Sequence, residues 1–204
     1  MKTDLLDIRN CDCMELMKEF PDKHFDLAIV DPPYGIGCDK LHTGVRFLPE
    51  KRWDIAPDCS YFDELIRVSK NRIIWGANNF PIWPSPGFLF WDKRPMPPTY
   101  ASGELAAVSF KTNCRIFSGK TGNEVPVKDR IHPTQKPVAL YKWLLHNYAN
   151  TEDKILDTHL GSGSIAIACH YMGFNLTASE IDKDYYNSAC ARIERETAQQ
   201  ELFK

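Results

Sequence analysis

Two short segments of this 204-residue chain combine residue types that can do chemistry. The first is Asp31-Pro32-Pro33-Tyr34-Gly35, directly after the apolar run FDLAIV. Two prolines fix φ and remove two N–H donors, so the turn is stiff and its carbonyls are left to accept hydrogen bonds from another molecule. Asp31 adds a carboxylate acceptor and Tyr34 a flat aromatic face. Acceptors beside an aromatic face suit an aromatic amine. Asp, Pro and Gly also make ordinary strand-ending turns; the position at the end of a buried run is what favours function here.

The second segment is Asp157-Thr158-His159-Leu160-Gly161-Ser162-Gly163-Ser164, which leads into an apolar helical stretch, with Glu180 nineteen residues beyond Gly161. The glycines allow a tight turn and a close backbone approach, and free N–H groups at a helix start attract a carboxylate or phosphate. An acid closing the next strand is placed to accept two ribose hydroxyls, so the layout suits a nucleoside. Gly161, Gly163 and Ala166 also satisfy the dinucleotide pattern G-x-G-x-x-G/A, so this turn alone leaves a nicotinamide-dependent dehydrogenase open.

The elements that must position these turns follow from hydrophobic spacing. LLDIRNC reads as a short strand, MELMKEF as a helix and FDLAIVD as a buried strand. A helix over YFDELIRVSK leads to the strand RIIWG. Pro81, Pro84, Pro86, Pro95, Pro97 and Pro98 frame turns around the strand FLFWD, and ELAAVSF is one further strand. Residues 111–136 carry six basic side chains and little periodicity, and read as an irregular surface segment. Pro137 suits the first turn of a helix through VALYKWLLHNY. KILD and NLTASEID are strands around a helix that Gly173 can end, and a last helix follows. Strands alternating with helices imply an α/β fold with a mostly parallel sheet covered on both faces.

An apolar fraction of 43% supports a real core and excludes a disordered or fibrous chain. No apolar run reaches membrane-spanning length and MKTDLLDIRN lacks a secretion signal, so the expectation is a single soluble, cytoplasmic domain. The net charge of -2 resolves into -4 over residues 1–35, +6 over 36–150 and -4 over 151–204, a basic middle compatible with a polyanion. The seven cysteines are scattered, with no CxxC pair, and no metal is expected.

Four motifs in one order then carry a resemblance over almost the whole chain: Asp12 after the first strand, Asp31-Pro32-Pro33-Tyr34, His132-Pro133-Thr134-Gln135-Lys136-Pro137, and Asp157–Ser164 with Glu180. The chain resembles the β-group S-adenosylmethionine-dependent DNA amino-methyltransferases, which methylate adenine N6 or cytosine N4. The resemblance implies a Rossmann-like methyltransferase fold with a seven-stranded sheet and circularly permuted motif order. It divides a single domain into a catalytic half (1–110), a short basic segment in place of a recognition domain (111–131) and a cofactor half (132–204).

Residue by residue, the resemblance assigns catalysis to Asp31, Pro32, Pro33 and Tyr34. It assigns the cofactor to Asp12, Cys13, His132, Thr134, Lys136, Asp157, Gly161, Ser162, Gly163, Glu180 and Ile181. Glu180 would hold the ribose hydroxyls, Asp12 the cofactor's adenine amino group, Asp157 the methionine amino end, and Thr134 with Lys136 the methionine carboxylate. Asp rather than Ser at the head of the catalytic turn favours adenine N6 over cytosine N4. The target base must be flipped out of the stack, where Tyr34 would meet its face.

Little of the chain is left for reading sequence. Lys40, Arg46, Lys51 and Arg52 in the loop after Gly35, with Lys111, Arg115, Lys120, Lys128 and Arg130, are the candidate DNA contacts. Trp75 and Asn78 either line the base pocket or, for Trp75, belong to the core. The partners implied are DNA, with a second copy of the chain and a cognate restriction endonuclease as further candidates. A non-catalytic nucleic-acid-binding scaffold is the other class to separate.

Overall fold

The run Phe25–Val30 forms β2, and its alternating residues bury on opposite sides. Leu27 and Ile29 pack with one cluster and Ala28 and Val30 with another, which is the period-2 geometry of a strand covered on both faces. Each fully buried Val, Leu or Ile stabilises the fold by about 1.5–3 kcal/mol. The computed structural model describes residues 1–37, 53–82, 84–94, 101–119 and 130–201.

The other elements in chain order are β1 (Leu6–Arg9), α1 (Cys13–Lys18), α2 (Cys59–Val68), β3 (Ser69–Trp75), β4 (Gly87–Asp92), β5 (Gly103–Val108), β6 (Arg115–Ser118), α3 (Val138–Tyr148), β7 (Lys154–Asp157), α4 (Ser164–Met172), β8 (Asn175–Ser179) and α5 (Lys183–Glu201). Helices α1 and α2 supply Leu16, Met17, Tyr61, Phe62 and Leu65 to one face, with Ala28 and Val30. Helices α3, α4 and α5 supply Leu144, Ile165, Ile167 and Ile193 to the other, with Leu27 and Ile29. The result is three layers, α/β/α.

The strand order is β1-β8-β7-β2-β3-β5-β4-β6. All strands run in one direction except β5, which pairs antiparallel with both β3 and β4. The sheet therefore has eight strands among the described residues, not the expected seven. β6 lies inside the stretch read as irregular. Arg115, Ile116 and Ser118 are exposed, so β6 has no buried alternation to betray it and is held by its pairing with β4. Two smaller corrections concern helix ends. Ser69 and Lys70, expected at the end of a helix, open β3, and Pro137 is the N-cap of α3 rather than a first-turn residue.

Chain direction across the sheet reverses at the centre. From β2 the chain moves through β3 towards β6, and then returns to β7, on the opposite side of β2, and on to β8. The ends of β2 and β7 thus flank a topological switch point, where open α/β sheets place their ligands.

Candidate active site

Asp31 follows the last residue of β2 and Asp157 ends the neighbouring parallel strand β7. The stiff proline turn holds Asp31 beside Tyr34, whose hydroxyl donates to Asp31 Oδ1 at 2.7 Å. The Tyr34 ring rests against Gly76, where φ is +71° and a β-carbon would stand 2.1 Å from Tyr34 Cε1. Gly35 also has positive φ, and its N–H donates to Asp54 Oδ1 at 2.8 Å, which pins the turn to the chain beyond residue 52.

The other oxygen of Asp31 is taken by Lys136, whose ammonium lies 2.5 Å from Oδ2. The same ammonium is 2.9 Å from Glu104 Oε2, and Glu104 Oε1 receives Lys93. Glu104 sits at the start of β5, and reaches this edge because β5 runs against its neighbours. Lys136 is buried, with its ammonium 5.7 Å from the Trp75 ring and 5.8 Å from those of Tyr34 and Trp91. Burial would push its proton off, but the Asp31 and Glu104 charges hold its pKa above the ordinary value. Burial, and then the same two acids, push the Tyr34 phenol up. Trp75 is wholly buried core.

Beyond β7 the turn closes on itself. Asp157 is buried and accepts from the His159 N–H at 3.0 Å. Burial raises its pKa to about 8, with the charges of Asp31 and Glu180 adding to the effect. Gly161 (φ +53°) donates its N–H to Glu180 Oε2, and Asp182 N–H donates to Oε1, both at 2.9 Å. These bonds aim the carboxylate. A β-carbon at Gly161 would meet nothing nearer than His132, at 3.8 Å. Gly163 differs. Its φ is +76° and a β-carbon there would lie 2.9 Å from Ile193 Cδ1, so this glycine lets α4 dock on α5.

At the end of β1, Asn10 Nδ2 donates to the carbonyls of Glu180 (2.7 Å) and Ile181 (3.1 Å). Asp12 caps α1 through Met14 N–H at 2.7 Å. The adjoining Cys13 thiol is pushed up to about 12 by burial. Ile181 is 67% exposed, although large and apolar. His132 faces Tyr185 with ring centres 4.5 Å apart and Trp53 at 5.3 Å. Burial lowers its pKa to about 4, so it is neutral at pH 7. Thr134 Oγ1 lies 3.1 Å from His132 Nδ1.

The structure brings Asp31 and Tyr34 together with Lys136, and gathers Asp12, Asp157, Gly161, Glu180 and Ile181 along the ends of β1, β7 and β8. Lys136 differs from its expected place. Its backbone carbonyl accepts from Ser164 Oγ at 2.7 Å, but its ammonium is on Asp31 and Glu104. Among the candidate DNA contacts, Lys111 and Arg115 are exposed, and Arg115 donates to Asn147 Oδ1 at 2.7 Å. Arg130 is half-buried, while Lys40, Arg46, Lys51, Arg52, Lys120 and Lys128 lie outside the described residues.

Sequence reasoning missed Glu104, Asp54, Asn10 and Arg192. Arg192 of α5 is buried and donates to the Ser162 carbonyl and to Ser164 Oγ, each at 2.9 Å, which braces the glycine turn from behind. A signal existed for it: Ala189 and Ile193 mark the buried stripe of α5, and Arg192 lies beside them.

The site fits a nucleoside that carries a positive charge. There is a glycine turn with no close contact at Gly161, where a β-carbon would only touch the His132 ring at 3.8 Å, an aimed carboxylate at Glu180, an apolar surface at Ile181 and, at Asp157, a buried acid that a cation would ionise.

Comparison with known proteins agrees. The N6/N4 methyltransferase family, described as DNA methylase, matches residues 82–191. The chain is 26% identical over 203 residues to the putative methylase YubD of Escherichia coli (strain K12), covering 89% of this chain and 87% of that protein. The solved complex of M1.HpyAVI with SAM shares the fold at TM-score 0.64 and 21% identity, over 92% of this chain and all (100%) of that one. The cytosine-N4-specific PvuII DNA methyltransferase does so at TM-score 0.65 and 10% identity, over 97% and 93%.

Proposed function

The chain belongs to the N6/N4 family of DNA methylases, and we propose that it carries the methyl group of S-adenosylmethionine to the exocyclic N6 amine of an adenine flipped out of DNA. One observation supports this above others: the acceptor turn at Asp31 and the glycine turn after Asp157 end neighbouring parallel strands at the switch point of the sheet. A dehydrogenase would use the glycine turn and leave the Asp31 turn idle.

Glu180 would hold the ribose hydroxyls, Ile181 the face of the cofactor's adenine and Asp12 its amino group. Asp157 would hold the methionine ammonium, and Gly161, Ser162 and Gly163 would pass beneath that part. Thr134 is exposed and free to meet the methionine carboxylate; Lys136 can do so only by leaving Asp31 and Glu104. Cys13 and His132 border the same crevice.

When bound, the cofactor supplies an activated sulfonium methyl. The protein supplies position and electrostatics. An aromatic amine is a poor nucleophile because its lone pair is delocalised into the ring. Asp31 and the Pro32 carbonyl would accept its two N–H hydrogens, favour a pyramidal nitrogen and free the lone pair for in-line attack, with Pro33 keeping the turn rigid. The amine nitrogen would gain the methyl as that group leaves its sulfur, and Asp31 or water would take the surplus proton. The flat face of Tyr34 would stack on the flipped base, worth about 1–3 kcal/mol.

This reading makes the chain a small β-group enzyme with circularly permuted motifs: the catalytic turn precedes the cofactor turn in sequence. It acts in the cytoplasm on a short or degenerate site, or on one completed by a second copy, and alongside a cognate restriction endonuclease. Lys111, Arg115 and Arg130, with Lys40, Arg46, Lys51 and Arg52, would contact phosphates, which position without specifying sequence. Cytosine N4 is the second reading, favoured by the fold likeness to the PvuII enzyme. Nucleoside mass spectrometry of DNA treated with the protein and S-adenosylmethionine separates them. N6-methyladenine is the expected product, N4-methylcytosine would move the target to cytosine, and neither base would refute the function.

A further inference from the structure

Both oxygens of Asp31 are already engaged, Oδ1 by the Tyr34 hydroxyl and Oδ2 by the Lys136 ammonium. A target amine is a neutral and weak donor, and cannot displace an ammonium that has nowhere else to go. Stranding a buried charge costs several kcal/mol. Lys136 does have somewhere else to go. Its ammonium carries three N–H donors, and these already reach Asp31, Glu104 at 2.9 Å and the Tyr34 hydroxyl at 3.4 Å. Lys93 occupies the far oxygen of Glu104, so Lys136 meets Oε2, which the Tyr34 hydroxyl also approaches at 3.3 Å.

Resting on the methyltransferase reading, we infer that Glu104 is a positioning residue for the reaction: it takes the Lys136 ammonium when the target amine arrives, and so releases Asp31 as the acceptor. Glu104 touches neither the amine nor the cofactor in this scheme. It acts through Lys136, and its reach depends on the reversed direction of β5, which brings the start of that strand to the edge where the other strands end.

Measuring methyl transfer to DNA in a single turnover at saturating S-adenosylmethionine, with cofactor affinity measured alongside, tests this. Glu104→Gln traps Lys136 on Asp31, so the rate should fall more than threefold while cofactor affinity stays within threefold. The double variant Glu104→Gln with Lys136→Gln removes the trapped ammonium, and should be faster than Glu104→Gln alone. A purely structural role for Glu104 would lower Tm and cofactor affinity in step with the rate. Removing both charges of a buried pair can restore stability as well as rate, so the relay is marked by a rate loss and recovery with cofactor affinity held. Glu104→Asp keeps the charge one methylene farther away and takes the place of Glu104→Gln, under the same thresholds, if that variant does not fold.

A rate within threefold of the unaltered protein, a double variant no faster than the single one, or a cofactor affinity that falls in step with the rate overturns the inference. An unaltered protein that methylates no DNA refutes the methyltransferase reading instead.

Discussion

Tyr34 and Gly76 are matched across the ends of the neighbouring strands β2 and β3: a β-carbon on Gly76 would lie 2.1 Å from the Tyr34 ring. Gly76 follows β3 with φ of +71°, a conformation that also disfavours any side chain. The surface on which the flipped base would stack is therefore set from a neighbouring strand.

Gly76→Ala should push the Tyr34 ring out of place and weaken its hydrogen bond to Asp31. Methyl transfer should fall by roughly tenfold or more, and the strained backbone should cost about 1–3 kcal/mol of stability. Cofactor affinity should hold, because the glycine turn follows β7, on the far side of β2 from Gly76. Equal losses in cofactor binding and methyl transfer would show that the crevice behaves as one unit.

Asp157 gives a pH dependence with a definite sign. Its folded value is about 8 against an ordinary 3.8, so the folded protein keeps a proton there that the unfolded chain releases. The stability this confers is present at low pH and is lost as pH rises towards the folded value. His132 and His159, both lowered to about 4 by burial, act with the opposite sign, but only below their ordinary value of 6.5. Between about pH 6.5 and 8.5 the unliganded protein should therefore lose thermal stability relative to Asp157→Asn. Parallel curves would mean that Asp157 is already ionised. Binding of the cationic cofactor near pH 7 should release a proton from Asp157, visible by calorimetry in two buffers of different ionisation enthalpy.

Arg192→Met removes the cation behind the glycine turn and leaves the Ser162 carbonyl without that donor. A loss on the order of 2–3 kcal/mol is expected for hydrogen bonds to a charged group. For a chain of this size that is a drop in Tm of about 5–10 °C. Cofactor affinity should fall, while the rate at saturating cofactor is kept. An unchanged Tm would mean that the turn holds its shape without Arg192.

Ile181→Ser separates binding from stability. Ile181 is 67% exposed, so the unliganded protein should unfold at the same temperature. If the cofactor's adenine covers this side chain, lost apolar burial of about 1–2 kcal/mol weakens affinity roughly tenfold. Unaltered affinity would place the adenine elsewhere.

Much of the fold was legible because it rests on local spacing. The helix expected over VALYKWLLHNY is α3, residue for residue, and KILD is β7. The first spaces its apolar residues at helical intervals, and the second is a short run buried on both faces. β6 was missed because an exposed edge strand carries no such period. Glu104 was missed for a different reason: ELAAVSF reads as a strand either way round, and only its direction in the sheet decides which end reaches the crevice. Lys136 was legible as a polar contact of the site, but its pairing with Asp31 spans 105 positions and no local pattern encodes it. Asp157 and Glu180 were found through their spacing from the glycines, whereas the proton Asp157 retains depends on burial that spacing does not report.

The central strand pair also shapes how the protein comes to exist. β2 and β7 adjoin, with Leu27 opposite Ile155, yet most of the chain lies between them. As the chain leaves the ribosome, β2 and β3 can pair early, while the other edge of β2 waits bare for β7. An exposed, apolar strand edge of that kind is open to mispairing, and contacts this distant in sequence form slowly. The crevice is therefore among the last features to appear during folding, and a chain stopped short of Lys154 should aggregate through β2.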